Sequence, residues 1–382
     1  MKQFSLASSP YDAYDELRRH SPIAWSEHDH AFLVTRHDDV LALSRQSCMS
    51  SAIPLRSFGG WSAETAETLV SVMRRQLDLM DGPRHATLRR ILAAAFTGPR
   101  LARLQSFAEQ WIERRMEELP PTFDIMTEIA GPLPAAVVLE LFGLPTELRE
   151  AFHRDVSIFA AGVGNPIDAV ESISSALVNL RRLLAEVAQH PRLDDSGLLA
   201  IVRAAAPAPD VDDLVANAIL IVAAGHQTST NLIGNGAALL LRHPTERSLL
   251  TEQNASWSVG LEEILRFESP VQMVRRIATT NLKFRGVSIR QGDEVVFLLG
   301  SANRDPRAFV EPARFSVRRA PNRHVAFGAG PHTCLGAGLA RLLARTALTA
   351  LFAAPVRALD DEDEWLPSRA YRGLSRLRVS WR

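Results

Sequence analysis

The sequence predicts a mainly α-helical fold with a minor β region: one large helical domain with small sheets over residues 1–382. Three observations carry that prediction. Apolar residues recur three and four apart through long stretches, the pattern of helices with one buried face. Strand-like runs are short and few. No internal repeat divides the chain, and the Ala/Pro-rich stretch at 204–209 is too short to serve as an interdomain linker.

The elements follow in chain order. Phe32-Leu33-Val34 reads as a short strand. Residues 83–118 start on Pro83 and are helical, with a break near Gly98-Pro99. Residues 169–189 form one amphipathic helix, with Val170, Ile173, Leu177, Leu180, Leu184 and Val187 on one side. A long helix covers about 210–241. Asp210 or Asp212 caps its start, and it stops near His243-Pro244, because a residue before proline disfavours helical geometry. Residues 281–299 read as a hairpin set, with turns at Arg285-Gly286 and Gln291-Gly292.

Composition narrows the function. Acidic and basic residues balance at 43 each, so no whole-protein field favours nucleic acid or anionic membranes. Lysine occurs only at Lys2 and Lys283; the remaining basic residues are arginine. Two cysteines, Cys48 and Cys334, cannot form a disulfide framework or a zinc or iron–sulfur site. The N-terminus lacks an apolar core of signal-peptide length, and no apolar run is long enough to span a bilayer. The expectation is a cytoplasmic protein with no membrane or nucleic-acid partner.

The most informative segment is 327–336, Phe327-Gly328-Ala329-Gly330-Pro331-His332-Thr333-Cys334-Leu335-Gly336. Three glycines and a proline surround one cysteine, immediately before a helical run. Glycine lets backbone approach a flat ligand closely. A sulfur at a helix N-terminus gains from the positive end of the dipole, which favours the metal-binding thiolate.

This loop resembles the haem-binding signature of the cytochrome P-450 monooxygenases at Phe327, Gly330, His332, Cys334 and Gly336. Further stretches in the same order extend the resemblance from about Pro10 to the C-terminus. The resemblance implies the cofactor haem b (iron protoporphyrin IX), with Cys334 as proximal ligand and Phe327, Gly328 and Gly336 around it. It implies propionate partners at His85, Arg89, Arg276 and His332, with Arg275 an alternative to Arg276. His85 and Arg89 are four apart and share a helix face. It also implies a buried structural pair, Glu263 and Arg266, tied to Arg314 of Pro312-Ala313-Arg314-Phe315. His324 stands where the family often has histidine and is given no role.

On the oxygen side, Ala223-Ala224-Gly225-His226-Gln227-Thr228 resembles the family's distal helix. There, small residues such as Ala224 and Gly225 leave room for dioxygen and break the regular hydrogen bonding, while Thr228 orients protons. The family's acid is replaced by Gln227, and an amide cannot take up and release a proton near neutral pH.

The implied activity is a monooxygenase that uses O2 and two external electrons on a hydrophobic small molecule, often a natural product. No dinucleotide fingerprint and no fused reductase is present. A ferredoxin-type carrier with its reductase is expected, docking on arginines among Arg74, Arg75, Arg103, Arg114, Arg115, Arg341 and Arg345. Residues 55–77, 154–168, 223–225 and 271–274 are expected to line the pocket. Rival readings are a peroxide-driven oxygenase, a non-catalytic haem-thiolate gas sensor, and a haem-free helical protein.

Overall fold

The structure is a computed structural model that describes residues 9–52, 63–164, 170–187, 197–205, 209–252, 255–359 and 363–381. The expected pocket residues 55–62 and 165–168 lie outside these. The helices are α1 Tyr11–His20, α2 His37–Ser44, α3 Ala63–Met73, α4 Gly82–Ala93, α5 Gly98–Glu118, α6 Pro132–Phe142 and α7 Thr146–Gly164. They continue as α8 Val170–Val187, α9 Leu198–Ala204, α10 Val211–Arg242, α11 Pro244–Thr251, α12 Trp257–Phe267, α13 Leu299–Ala302 and α14 Ala337–Leu351. The strands are β1 Ile23–Ser26, β2 Ala31–Val34, β3 Met49–Ser50, β4 Thr122–Asp124, β5 Met273–Ala278 and β6 Leu282–Phe284. They end with β7 Val287–Ile289, β8 Glu294–Leu298, β9 Val356–Ala358, β10 Glu364–Trp365, β11 Leu374–Arg376 and β12 Arg378–Trp381.

The chain divides into two compact units. One comprises Met1–Ser50, Gln105–Pro134 and Gln227–Arg382; the other comprises Ser51–Leu104 and Ala135–His226.

Among the described residues, every sheet lies in the first unit. A five-stranded sheet runs β1-β2-β8-β5-β3, with β2 and β8 parallel and the other neighbours antiparallel. Its core joins Val34, Leu43, Val295, Phe297 and Val325. Tyr14 and Leu17 of α1 pack with Leu33, Val296 and Leu298 of β2 and β8. The hairpin set at 281–299 is present as β6, β7 and β8. Arg285 and Gly286 both take positive φ (50° and 85°), which suits a two-residue hairpin turn. Lys283 sits exposed on β6 of that hairpin.

The second unit is helical. The α4 and α5 helices are separate, and a short tight turn at Ala94–Phe96 makes the break expected near Gly98. The α8 helix lies against α7 and buries Ile173, Leu180 and Leu184, while Leu177 is half-buried. Of the two capping candidates for α10, Asp210 accepts the backbone N–H of Asp213 at 2.7 Å. Among the described residues no single helix is long and apolar enough to cross a membrane.

Candidate active site

In the first unit, Cys334 follows a short turn at Gly330–His332 and precedes α14, whose N-cap is Gly336. The loop is closed on itself. Cys334 N–H donates to Phe327 C=O at 2.9 Å, and Gly328 N–H donates to Val325 C=O at 2.8 Å. Gly328 and Gly330 have φ of 69° and 76°, a conformation that favours glycine. A Cβ at Gly330 would also lie 2.3 Å from the Ser44 carbonyl oxygen. The glycines therefore let the loop press against the end of α2. Cys334 is exposed while the α14 face behind it buries Leu339, Leu342 and Leu343. His332 and Phe327 are half-buried.

Behind this loop lies a charged network that the sequence reading did not assemble. Arg341 donates through Nε and Nη2 to Glu262 at 2.7 and 2.8 Å. Its guanidinium carbon sits 4.5 Å from the centre of the Phe327 ring. His324 Nε2 lies 2.9 Å from the same carboxylate, and its Nδ1 accepts the Ala326 N–H at 3.2 Å, which places the proton on Nε2. Burial pushes the Glu262 pKa up, but the Arg341 and His324 hydrogen bonds outweigh it and hold it at about 2. Glu262, and secondarily the nearby Cys334 sulfur, keep Arg341 more firmly protonated than an ordinary arginine. The signal in the sequence was the Glu262-Glu263 doublet, whose two carboxylates serve two different networks.

Glu263 and Arg266 are both fully buried, and they meet in a double hydrogen bond of 2.7 and 2.8 Å. The second cation on Glu263 is Arg319, at 3.1 Å, not Arg314. Ser316 N–H and Asn322 Nδ2 complete the shell, each at 3.0 Å. Arg314 contributes only its carbonyl, accepting from Arg266 at 3.2 Å; its side chain is exposed beside Glu311. The chain turns between Arg314 and Arg319, and that turn sends the later guanidinium inward.

On β5, alternation of side chains separates the two candidate arginines. Arg275 lies on Glu294 at 2.8 Å and near Asp29 at 3.7 Å. Arg276 is on the opposite face and donates to the Arg275 carbonyl at 2.7 Å. Thr228 is half-buried and Gln227 exposed, both in the part of α10 belonging to this unit.

In the second unit, His85 is buried and Arg89 half-buried on one face of α4. Burial first, and the Arg89 charge next, push the His85 imidazole below its ordinary pKa, while Asp81 opposes them. Ala224 is exposed, and a Cβ at Gly225 would come within 3.0 Å of Val138 on α6. The helix assignment continues through 223–230. The small residue at 225 permits close approach of α6.

Most of the arginines considered for carrier docking are already engaged. Arg75 pairs with Asp210 and Asp213, Arg103 with Glu140, Arg115 with Glu128, and Arg341 with Glu262. Arg345 donates to Gln105. Arg74 and Arg114 are exposed.

The residues of the first unit suit a thiolate-ligated iron porphyrin. They offer an accessible sulfur at a helix N-terminus, a glycine backbone that a planar group can approach, and cationic side chains for carboxylates. Among the described residues no cluster of three or more His, Cys, Asp or Glu can hold a bare metal ion, so an iron would have to bring its own ring of ligands.

Comparison with known proteins points the same way. A sequence model of the family described as Cytochrome P-450 matches residues 260–354. The chain is 30% identical to the biotin biosynthesis cytochrome P-450 of Bacillus subtilis (strain 168), covering 98% of this chain and 96% of that one. It is 31% identical to the monooxygenase PikC of Streptomyces venezuelae, covering 99% and 92%. The fold is similar to the crystal structure of a P-450, BioI, in complex with a hexadec-9Z-enoic acid-ligated acyl carrier protein. That likeness has TM-score 0.86 and 27% identity, and covers 98% of each chain.

Proposed function

The chain belongs to the cytochrome P-450 family, and from that premise we propose how its own residues serve a haem-thiolate monooxygenase of natural-product biosynthesis. The observation that carries the reading is Cys334, accessible in a positive-φ glycine loop at the start of α14. When bound, haem b supplies the oxygen-activating iron for the overall change RH + O2 + 2 electrons + 2 protons to ROH + H2O.

Cys334 would hold the iron through its thiolate, Phe327 would cover the sulfur, and Gly328 and Gly336 would let the loop lie close to the ring. Arg341, over Phe327 and close enough to Cys334 to feel its charge, stabilises the anionic sulfur. Arg89, Arg276, His85 and His332 would hold the two propionates; Arg276 would take this role rather than Arg275, which Glu294 already occupies. Ala224 and Gly225 would line the oxygen side, and the Thr228 hydroxyl would orient the protons. Gln227 binds by hydrogen bonding without exchanging a proton, so delivery depends on Thr228 and water. Gln227→Glu should lower the peroxide released per electron pair; equal coupling in the two proteins would discount any special role for the amide.

The substrate is a hydrophobic or amphipathic molecule of moderate size. Electrons come from a ferredoxin with its reductase, docking through exposed arginines such as Arg74 and Arg114, and the protein works in the cytoplasm. The deciding experiment is the spectrum of the reduced, carbon-monoxide-bound protein. A long-wavelength Soret band reports the thiolate, and Cys334→Ala should abolish it. Survival of the band in that variant would refute the ligand assignment. The amide at Gln227 favours one second reading, a peroxide-driven oxygenase, which turnover with hydrogen peroxide alone would reveal.

A further inference from the structure

Asn231 lies on α10 three residues beyond Thr228, so the two side chains share a helix face. It is completely buried. Neither its Nδ2 nor its Oδ1 has a hydrogen-bond partner among the described residues. Its amide presses on the main chain of Gly373, the residue before β11: a Cβ there would stand 2.1 Å from Oδ1 and 2.9 Å from Nδ2. One turn further along α10, Asn235 is also fully buried. Its Nδ2 donates to the carbonyls of Arg372 and Glu268 at 2.9 and 3.1 Å, while its Oδ1 has no partner.

Thr228, Asn231 and Asn235 therefore form a polar stripe along α10, the two asparagines set among buried Leu232, Ile233, Ala237 and Ala238. Asn235 explains itself in part: it ties α10 to the backbone at Arg372. Asn231 does not. A buried amide with a donor and an acceptor both unmet carries its full desolvation cost. Proteins meet such groups with buried water, which needs two to four polar partners; the two polar atoms of Asn231 and the Oδ1 of Asn235 are three groups of that kind.

We infer that Asn231 is a positioning residue for proton delivery: its amide holds the buried water that hands protons to the Thr228 hydroxyl. This rests on the monooxygenase reading given above. The amide keeps its own hydrogens. It accepts one hydrogen bond from the water and donates another, fixing that water's orientation. The water gives a proton to the Thr228 oxygen as Thr228 gives its own forward, and the next water replaces it. Two protons pass per turnover, as the balance for ROH and H2O requires. When delivery fails, the same two electrons and two protons leave with dioxygen as H2O2. The arrangement supplies, with a neutral group, the ordering of water that an acid at position 227 would otherwise provide.

The test uses the holoenzyme with a surrogate ferredoxin and reductase. Asn231→Leu keeps the size and removes both hydrogen-bonding groups, and Asn231→Asp restores the acceptor. The expected result for Asn231→Leu is a rise in peroxide per electron pair of about threefold or more, with a changed solvent deuterium isotope effect and KM unaltered. Asn231→Asp should recover coupling. A second readout is independent of turnover. If the amide were dry, Asn231→Leu would remove an unmet polar group and raise Tm; if it holds water, Tm stays level or falls. Wild-type coupling and isotope effect in Asn231→Leu, or a raised Tm, would overturn the proposal. The carbon-monoxide band of wild type separates the two failures: its absence defeats the haem-thiolate reading, whereas its presence with unaltered coupling defeats only the role of Asn231.

Discussion

Replacing Glu263 with glutamine removes one charge and keeps the shape of the side chain. The carboxylate accepts five hydrogen bonds: two from Arg266, and one each from Ser316, Arg319 and Asn322. A glutamine oxygen can serve only one side of that shell, and its NH2 then faces donors instead of acceptors. The Arg266 guanidinium, itself fully buried, loses its counter-charge. Burial already pushes the Arg266 pKa down, with Glu263 the main force holding it up. Breaking a buried pair on one side costs about 3–5 kcal/mol. That is a large share of the roughly 5–15 kcal/mol by which folded domains are stable. With a urea dependence of roughly 3 kcal/mol per molar, the unfolding midpoint should fall by about 1–1.7 M. Urea unfolding followed by far-ultraviolet circular dichroism measures this. Arg314→Ala is the control, because its side chain is about two-thirds exposed beside Glu311, and it should change stability by less than about 0.5 kcal/mol. A loss below about 1 kcal/mol in Glu263→Gln, or an equal loss in Arg314→Ala, would refute the claim that this pair braces the core.

Three other outcomes follow from the geometry. The Glu262 pKa lies at about 2 in the folded protein, against 4.5 ordinarily, so its pairing with Arg341 and His324 stabilises the fold above pH 4.5 and is lost as pH falls toward 2. The Tm gap between wild type and Glu262→Gln should narrow on acidification through that window, and a constant gap would count against it. Gly330→Ala forces a side chain into positive φ and against the Ser44 carbonyl, which should cost about 1–3 kcal/mol and reduce haem content; full haem loading at unchanged Tm would contradict this. Arg276→Ala should speed haem transfer to apomyoglobin while Arg275→Ala should not, and equal rates would remove the distinction drawn from β5.

Local patterns were readable and tertiary choices were not. The α10 helix could be placed within a residue or two, because periodicity, a capping aspartate and His243-Pro244 all act over short range. The Cys334 loop was legible for the same reason: its glycines serve backbone angles within ten residues. Which arginine meets Glu263 was not legible. Arg314 and Arg319 are five apart, and only the path of the turn between them decides which side chain enters the core. Gly225 shows the same limit: that a Cβ there would also stand 3.0 Å from Val138 on α6 is a tertiary reason for its small size that the sequence did not carry. The burial of Asn231 gave no signal, since a polar residue in mid-helix reads as solvated until the opposing Gly373 is in place.

The hairpin of β6 and β7 carries Lys283 on its exposed face, and the only other lysine is Lys2. An arginine-rich surface with so few primary amines gives the protein an unusual covalent geometry. Amine-reactive chemistry at Lys283 attaches a dye, a cross-linker or an electrode to one defined hairpin. Attachment there leaves the Cys334 loop, α14 and the arginine side chains chemically untouched. Electrode-driven turnover can thus be attempted with every molecule tethered through that hairpin or its N-terminal segment, and distances read from a Lys283 label refer to a single point on the sheet-bearing unit.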